Sequence, residues 1–185
     1  DLKDVSSHSS HFSLQGPGAS NLVQELLGSS GPEEPYGVQE VKWQETTLWL
    51  IRKNELAESG FEMIVPRQIA PSLRAALEEK GSRSGLREIG AEARNILRLE
   101  AAIPWYGVDM DENRYPVEAR LKEAISYTKG CYLGQEVVSK ATHVGGVSNL
   151  LMGLKIQAEQ IPSQGSSVFN EEGKQIGAVT SAEKE

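Results

Sequence analysis

Val38-Gln39-Glu40-Val41-Lys42-Trp43, Thr46-Thr47-Leu48-Trp49-Leu50-Ile51-Arg52 and Gly60-Phe61-Glu62-Met63-Ile64-Val65 are three short runs rich in β-branched and aromatic residues. Each has the length of one strand of an antiparallel sheet. C-terminal to them, Ile69 to Lys80 carries Leu73, Ala76 and Leu77 at helical spacing, and Gly81 closes it. A further helix is expected from about Ala91 to Glu100, apolar at Ala93, Ile96 and Leu97, and broken by Ile103-Pro104. N-terminal to the three runs, Leu22, Val23, Leu26 and Leu27 recur at helical spacing between Ala19 and Leu27, with Gly28 as a stop. Phe12-Ser13-Leu14 alternates briefly before Gly16-Pro17-Gly18, and the polar, Ser-rich residues 1–11 read as a loop.

The second half is punctuated differently. Residues 107–118 form an acidic loop, Val117–Tyr127 is expected to be helical, and a helix is expected from Gln135 to Thr142 through Gly134. Gly145-Gly146 marks the expected domain boundary. Beyond it Leu150–Ile156, Ser167–Phe169 and Gln175–Thr180 alternate like strands. The fold class is therefore α+β: an antiparallel sheet with packed helices over residues 1–145, then the start of a small β-rich domain over residues 146–185. Three short strands make a poor independent domain, and the chain begins at Asp1 rather than Met, so a longer protein is expected at both ends.

Nineteen basic against 26 acidic side chains leave a net charge of −7 and a pI of about 5.1. That balance argues against direct nucleic-acid or anionic-membrane binding, which needs a basic face. Between Arg120 and Lys155, however, five cations face two anions. A locally basic stretch in an acidic chain suits a small anionic ligand, or is a solvated helix face. The lone Cys131 allows no internal disulfide and suits a reducing compartment. No apolar run approaches the roughly 18 residues of a membrane span, and no signal peptide is visible, so the expected location is cytoplasmic.

Chemistry concentrates in Lys129-Gly130-Cys131-Tyr132-Leu133-Gly134-Gln135-Glu136. A thiol just before a helix N-terminus feels the positive end of the macrodipole, and Lys129 adds a cation. Both favour thiolate, which is expected to lower the pKa below the free value of about 8.5. Gly130 and Gly134 allow a sharp turn and close ligand approach. Tyr132 offers an aromatic face, and Gln135 and Glu136 polar groups. The alternative is a buried, inert cysteine. His143 is too distant in sequence to support a Cys/His protease pair.

Other signals fail on their own terms. Asp109-x-Asp111-x-Asn113 opens like a calcium loop, but Arg114 stands where Gly is needed and Arg120 where Glu is needed. His8-x-x-His11 has no further metal ligand nearby. Neither a Walker A loop nor G-x-G-x-x-G is present.

The octapeptide closely resembles the signature of the YgfZ-type folate-binding proteins, relatives of the glycine-cleavage aminomethyltransferase (T-protein). Further matches run in chain order. Ser13-Leu14-Gln15-Gly16-Pro17 is similar to the family's "LQGP" element and Gly60-Phe61-Glu62 to its "G-[FY]-E". Ala93-Arg94 through Arg98-Leu99-Glu100-Ala101 resembles "AR…RLEAG", and Ile103 to Glu112 resembles "IP-x-YG-x-D-x-DE". Gly173–Ala182 is similar to the opening of the family's C-terminal barrel.

The resemblance implies an aminomethyltransferase folate-binding fold followed by part of a C-terminal β-barrel, with tetrahydrofolate or a one-carbon derivative as cofactor. It places Glu62 at the pterin edge, where a carboxylate can accept two parallel N–H bonds; the plainer reading is an exposed strand residue. It places Arg94 near the aminobenzoyl-glutamate half; the plainer reading is a helix-surface charge, or an internal ion pair with Glu100 or an Asp of the acidic loop. Arg98, one turn on, is second, and Tyr106 lines the pocket or is simply core. Cys131 and Lys129 are the candidate catalytic pair, and no metal is implied.

Two departures stand out. Ala102 replaces the Gly of "RLEAG", and the family's segment before "LQGP", which carries the T-protein's catalytic aspartate, is not in the chain. T-proteins usually read "F-[IV]-G-[KR]-E" where this chain has Cys131 to Glu136, which favours the YgfZ-like branch. That branch implies an accessory protein for iron–sulfur enzyme assembly or repair, and through it tRNA modification, with iron–sulfur enzymes or assembly proteins as partners. One thiol cannot cage a cluster, which takes about four. The competing readings are a tetrahydrofolate-dependent aminomethyl or one-carbon transferase, and an interaction module without folate.

Overall fold

Alternation of apolar and polar residues fixes the sheet, because successive side chains on a strand face opposite sides. The structure, a computed structural model, describes residues 3–56, 59–143, 146–157 and 159–184. The chain divides into two units, Asp1–Ala101 and Ala102–Glu185. In the first, β1 (Ser9–Gln15), α1 (Ala19–Leu27), β2 (Val38–Trp43), β3 (Thr46–Arg52), β4 (Gly60–Pro66), α2 (Ala70–Gly81) and α3 (Ala91–Glu100) follow in order. The four strands form one antiparallel sheet in the order β1-β4-β3-β2.

One face of this sheet carries Leu14, Phe61, Met63, Val65, Leu48, Leu50, Val41 and Trp43, which form a single core with Leu22, Val23 and Leu27 of α1 and Leu73 and Leu77 of α2. Both helices place apolar residues three and four apart, so one stripe of each meets the sheet. Gly28 ends α1 in the left-handed region, at a φ of 66°, and its N–H caps the Gln24 carbonyl. The elements expected from 19 to 100 are therefore present at nearly the expected bounds. The polar stretch expected as a loop differs: Ser9, Ser10 and His11 begin β1, because β4 supplies a ladder that local polarity does not foretell.

The second unit holds a short 3-10 turn at Lys122–Ala124, α4 (Gln135–His143), and β5 (Ser167–Phe169) paired antiparallel with β6 (Gln175–Ala178). The helix expected at Val117–Tyr127 does not form. The Glu118 carboxylate caps the Tyr115 N–H at 2.8 Å, one turn follows, and Arg120 enters the left-handed region at a φ of 60°, where an α-helix cannot continue. Nor is Leu150–Ile156 a strand: among the described residues no strand pairs with it, although the Leu151 N–H donates to the Glu118 carbonyl. Of the expected boundary Gly145-Gly146, Gly145 lies outside the described residues. No helix among the described residues is long and apolar enough to cross a membrane.

Candidate functional site

The face of the sheet opposite the core carries the chemistry. On β1, His11, Ser13 and Gln15 point to that face, since Phe12 and Leu14 point to the core. Ser13 lies opposite Glu62 in the ladder and Ile51 lies opposite it on the other side. Strand β4 is central, so Glu62 is covered from both neighbours and is only 2% exposed. The sequence expectation of an exposed strand residue at Glu62 is therefore excluded.

A hydrogen-bond network pins this carboxylate. The Ser13 hydroxyl donates to Glu62 Oε1 at 2.7 Å, and Gln15 Nε2 donates to the same oxygen at 3.2 Å. Gln15 Nε2 also reaches the Lys53 carbonyl at 3.1 Å, and Gln15 Oε1 accepts the Glu55 N–H at 2.9 Å. His11 Nε2 lies against Glu62 Oε2. That contact does not have hydrogen-bond geometry: Oε2 is buried and accepts no hydrogen bond. Burial pushes the Glu62 carboxyl above the ordinary range, the Ser13 hydroxyl opposes that, the charge of Glu55 adds to it, and His11 and Lys53 oppose it.

Gly60 explains why the element before Glu62 begins with glycine. A Cβ there would stand 1.9 Å from Gln15 Oε1 and 2.5 Å from the Lys53 carbonyl oxygen, so a side chain would break the same network.

Arg94, on α3, donates from Nη2 to Glu55 Oε2 at 2.9 Å, and Lys53 also pairs with Glu55. A carboxylate partner of Arg94 is thus Glu55, a residue not among those expected for it. Burial alone would raise the Glu55 carboxyl, but the hydrogen bonds from Lys53 and Arg94 win and hold it below its ordinary range. Gln15 and Glu55 therefore connect Glu62 to Arg94 through hydrogen bonds. Arg98 is buried and donates to Asn95 Oδ1 at 2.9 Å, while Leu97, an apolar position of the same helix, is exposed. From sequence His11 figures only in a rejected metal pair, and Ser13 and Gln15 only in the element similar to "LQGP"; none of them, nor Lys53 or Glu55, is expected as a site residue. The period-2 spacing of His11, Ser13 and Gln15 is the signal that finds them.

In the second unit Tyr106 is exposed, with Gly107 turning back so that its N–H meets the Met110 carbonyl. Asp109 is bound up in structure: Oδ2 accepts the Trp105 N–H, and Oδ1 accepts the Thr180 and Ser181 hydroxyls at 2.7 and 2.6 Å. Ala102, where the family pattern has Gly, adopts a φ of 55°, a left-handed conformation that an alanine occupies at a cost.

The octapeptide is an exposed turn leading into α4. Gly134 has a φ of 87°, Gln135 Oε1 reaches back to the Tyr132 N–H at 3.4 Å, and Lys129 Nζ sits 4.7 Å from the centre of the Tyr132 ring. Cys131 is exposed, which excludes the buried-cysteine reading, and Leu133 has no cover at all. Gly130 and Glu136 are also exposed. Among the described residues no group of His, Cys, Asp and Glu could hold a metal ion.

The chain is similar to the aminomethyltransferase of Chlorobium chlorochromatii (strain CaD3), 30% identical over 182 residues, covering 97% of this chain and 49% of that protein. It is 32% identical to the aminomethyltransferase of Halalkalibacterium halodurans, again covering 97% of this chain and 49% of the relative. Among solved structures, the glycine cleavage system aminomethyltransferase T from Bartonella henselae matches with a TM-score of 0.76 at 30% identity, over 94% of this chain and 47% of that one. The chain thus spans about half the length of the relatives it matches. With the family model for the GCVT N-terminal domain matched over residues 1–129, the chain belongs to that family.

Proposed function

We propose that this chain is the tetrahydrofolate-binding part of an aminomethyltransferase-like protein, one that transfers an aminomethyl or other one-carbon unit. The observation that carries the reading is the buried Glu62 carboxylate, linked through Gln15 and Glu55 to Arg94. A pterin presents an N–H and an amino group on one edge, and a carboxylate is their natural acceptor. Arg94 supplies a guanidinium for the anionic half, with Arg98 one turn on along α3. The names of the relatives support transfer chemistry. We assign the protein to the cytoplasm, with the domain boundary near residues 145–146.

The test is calorimetric titration of tetrahydrofolate into the intact protein. Glu62→Ala and Arg94→Ala should each weaken binding by at least about tenfold, the loss of one hydrogen bond to a charged group. Saturable binding untouched by both substitutions would sink the reading.

Cys131 and Gln135 favour a second reading, the YgfZ-type accessory role in iron–sulfur enzyme assembly or repair and hence tRNA modification. Here Cys131, Lys129 and the surrounding Gly130, Tyr132, Gly134, Gln135 and Glu136 act on partner proteins. Cells whose iron–sulfur enzymes depend on the protein should lose that support on Cys131→Ser. Full support by the variant would leave the transferase reading alone.

A further inference from the structure

The two oxygens of Glu62 are unequal. Oε1 accepts from both Ser13 and Gln15, which fills its two lone-pair directions. Oε2 accepts nothing and is shut off from solvent, with His11 Nε2 lying against it. A buried carboxylate oxygen without a donor is costly, so the arrangement is poised to gain a better partner. The imidazole is the group that stands in the way: its side chain is 61% exposed, against 3% for Glu62. It projects from β1, an edge strand, on the face opposite the core. Swinging it outward therefore breaks no core contact.

We propose that His11 is a displaceable cap on Glu62, holding the place on Oε2 of a ligand N–H donor and moving aside when the amino-amidine edge of a pterin binds. This rests on the folate reading of Glu62 and deepens it, because only Oε2 has capacity to accept from a ligand. The ligand then makes one strong bond to Oε2 rather than a symmetrical pair across both oxygens. His11 is in this scheme a positioning residue that sets selectivity: a ligand must outcompete an imidazole, which a neutral, donor-poor ring cannot do.

The charged groups acting on Glu62 are His11 from β1, together with Lys53 and Glu55 from the β3–β4 connection. Glu55 is held by Lys53 and Arg94. Removing the imidazole admits water to Oε2, a smaller partner that a ligand N–H displaces more readily.

The experiment titrates pterin, which lacks the aminobenzoyl-glutamate half, and separately tetrahydrofolate, into the intact protein at one pH. His11→Ala should bind pterin at least about threefold more tightly than wild type. His11→Gln, which keeps an N–H donor beside Oε2, should gain less than His11→Ala. As a readout independent of any variant's folding, the imidazole nitrogen resonances of His11 should shift on saturation with pterin. Wild-type affinity or weaker in a folded His11→Ala, or unmoved His11 resonances at saturation, overturns the cap while leaving Glu62 as the ligand group. If neither ligand binds wild type or His11→Ala, or Glu62→Gln leaves affinity unchanged, the folate reading falls and takes the cap with it.

Discussion

Two segments carry the candidate site residues, and they are built on opposite principles. The Glu62 segment lies in the central strand of a sheet, its backbone laddered on both sides and its carboxylate tied to Ser13 and Gln15. The Cys131 segment is an exposed turn before α4, with a cysteine and a leucine open to solvent and a cation over a tyrosine as its main side-chain tie. In the first, position is enforced by the fold; in the second, the residues are held loosely and their stability role is small. Ligand recognition needs the former, because a misplaced acceptor loses its hydrogen bonds. Chemistry on a partner needs the latter, because an accessible thiol is a thiol something else can reach.

The sharpest way to break this contrast is to truncate an apolar residue in each segment. Phe61, next to Glu62, is fully buried among Leu50, Met63 and the helices, and Arg52 lies over its ring at 4.8 Å. Phe61→Ala should cost about 3–5 kcal/mol in a denaturant titration. Leu133→Ala, fully exposed, should change stability by less than about 0.5 kcal/mol. Equal losses in the two would mean that the octapeptide is a packed element after all.

A smaller difference is expected between two glycines. Gly60→Ala drives a methyl group into Gln15 and the Lys53 carbonyl and should destabilise by about 1–3 kcal/mol, the range for overpacking. It should also weaken tetrahydrofolate binding, because Gln15 supports Glu62. A Cβ at Gly130 meets nothing within 4 Å, so Gly130→Ala should leave unfolding unchanged.

Proton linkage divides the first segment internally. The Glu62 carboxyl is raised, so the folded chain binds a proton more tightly than the unfolded one, and stability falls as pH rises from the ordinary glutamate value of 4.5 through the raised value. Glu55 is lowered, so its contribution is present above 4.5 and is lost as pH falls through the lowered value. Glu62→Gln should therefore flatten the decline of stability above about pH 4.5, and Glu55→Gln the decline below it. Thermal unfolding across that range checks both slopes. The same slopes in wild type and variants would show that the network does not govern them.

Much of the first unit was legible because hydrophobic period and termination signals agree there. Leu22, Val23 and Leu27 predict α1, and Gly28 ends it where expected. Leu48, Leu50, Phe61, Met63 and Val65 predict one buried face. The network around Glu62 was not legible, because Ser13, Gln15 and Glu55 are distant in sequence and ordinary surface residues by type. The β1–β4 register brings Ser13 and Gln15 to Glu62, and the β3–β4 connection brings Glu55 to Gln15. In the second unit the expected helix at Val117–Tyr127 failed for a local reason, the left-handed Arg120, which no propensity for arginine announces. The strand expected at Leu150–Ile156 failed for want of a partner among the described residues, since alternation alone supplies no ladder.

The smallest expected effect concerns Cys131 itself. Its sulfur is exposed, and Gly134, not Cys131, makes the turn into α4. Cys131→Ser should therefore shift stability by less than about 0.5 kcal/mol, the usual range for a surface substitution. Lys129→Met should cost no more than about 0.5–1 kcal/mol, the worth of an exposed cation over an aromatic ring. In the folded chain an aromatic disulfide reagent should titrate the thiol stoichiometrically without denaturant. A thiol that reacts only after unfolding would mean that Cys131 is shielded, and its loss should then cost as much as a core residue. Free reaction with no stability loss separates the two segments cleanly: the fold needs Phe61 and Gly60, and nothing in the fold needs the cysteine, so any effect of Cys131→Ser in the cell would belong to chemistry rather than to folding.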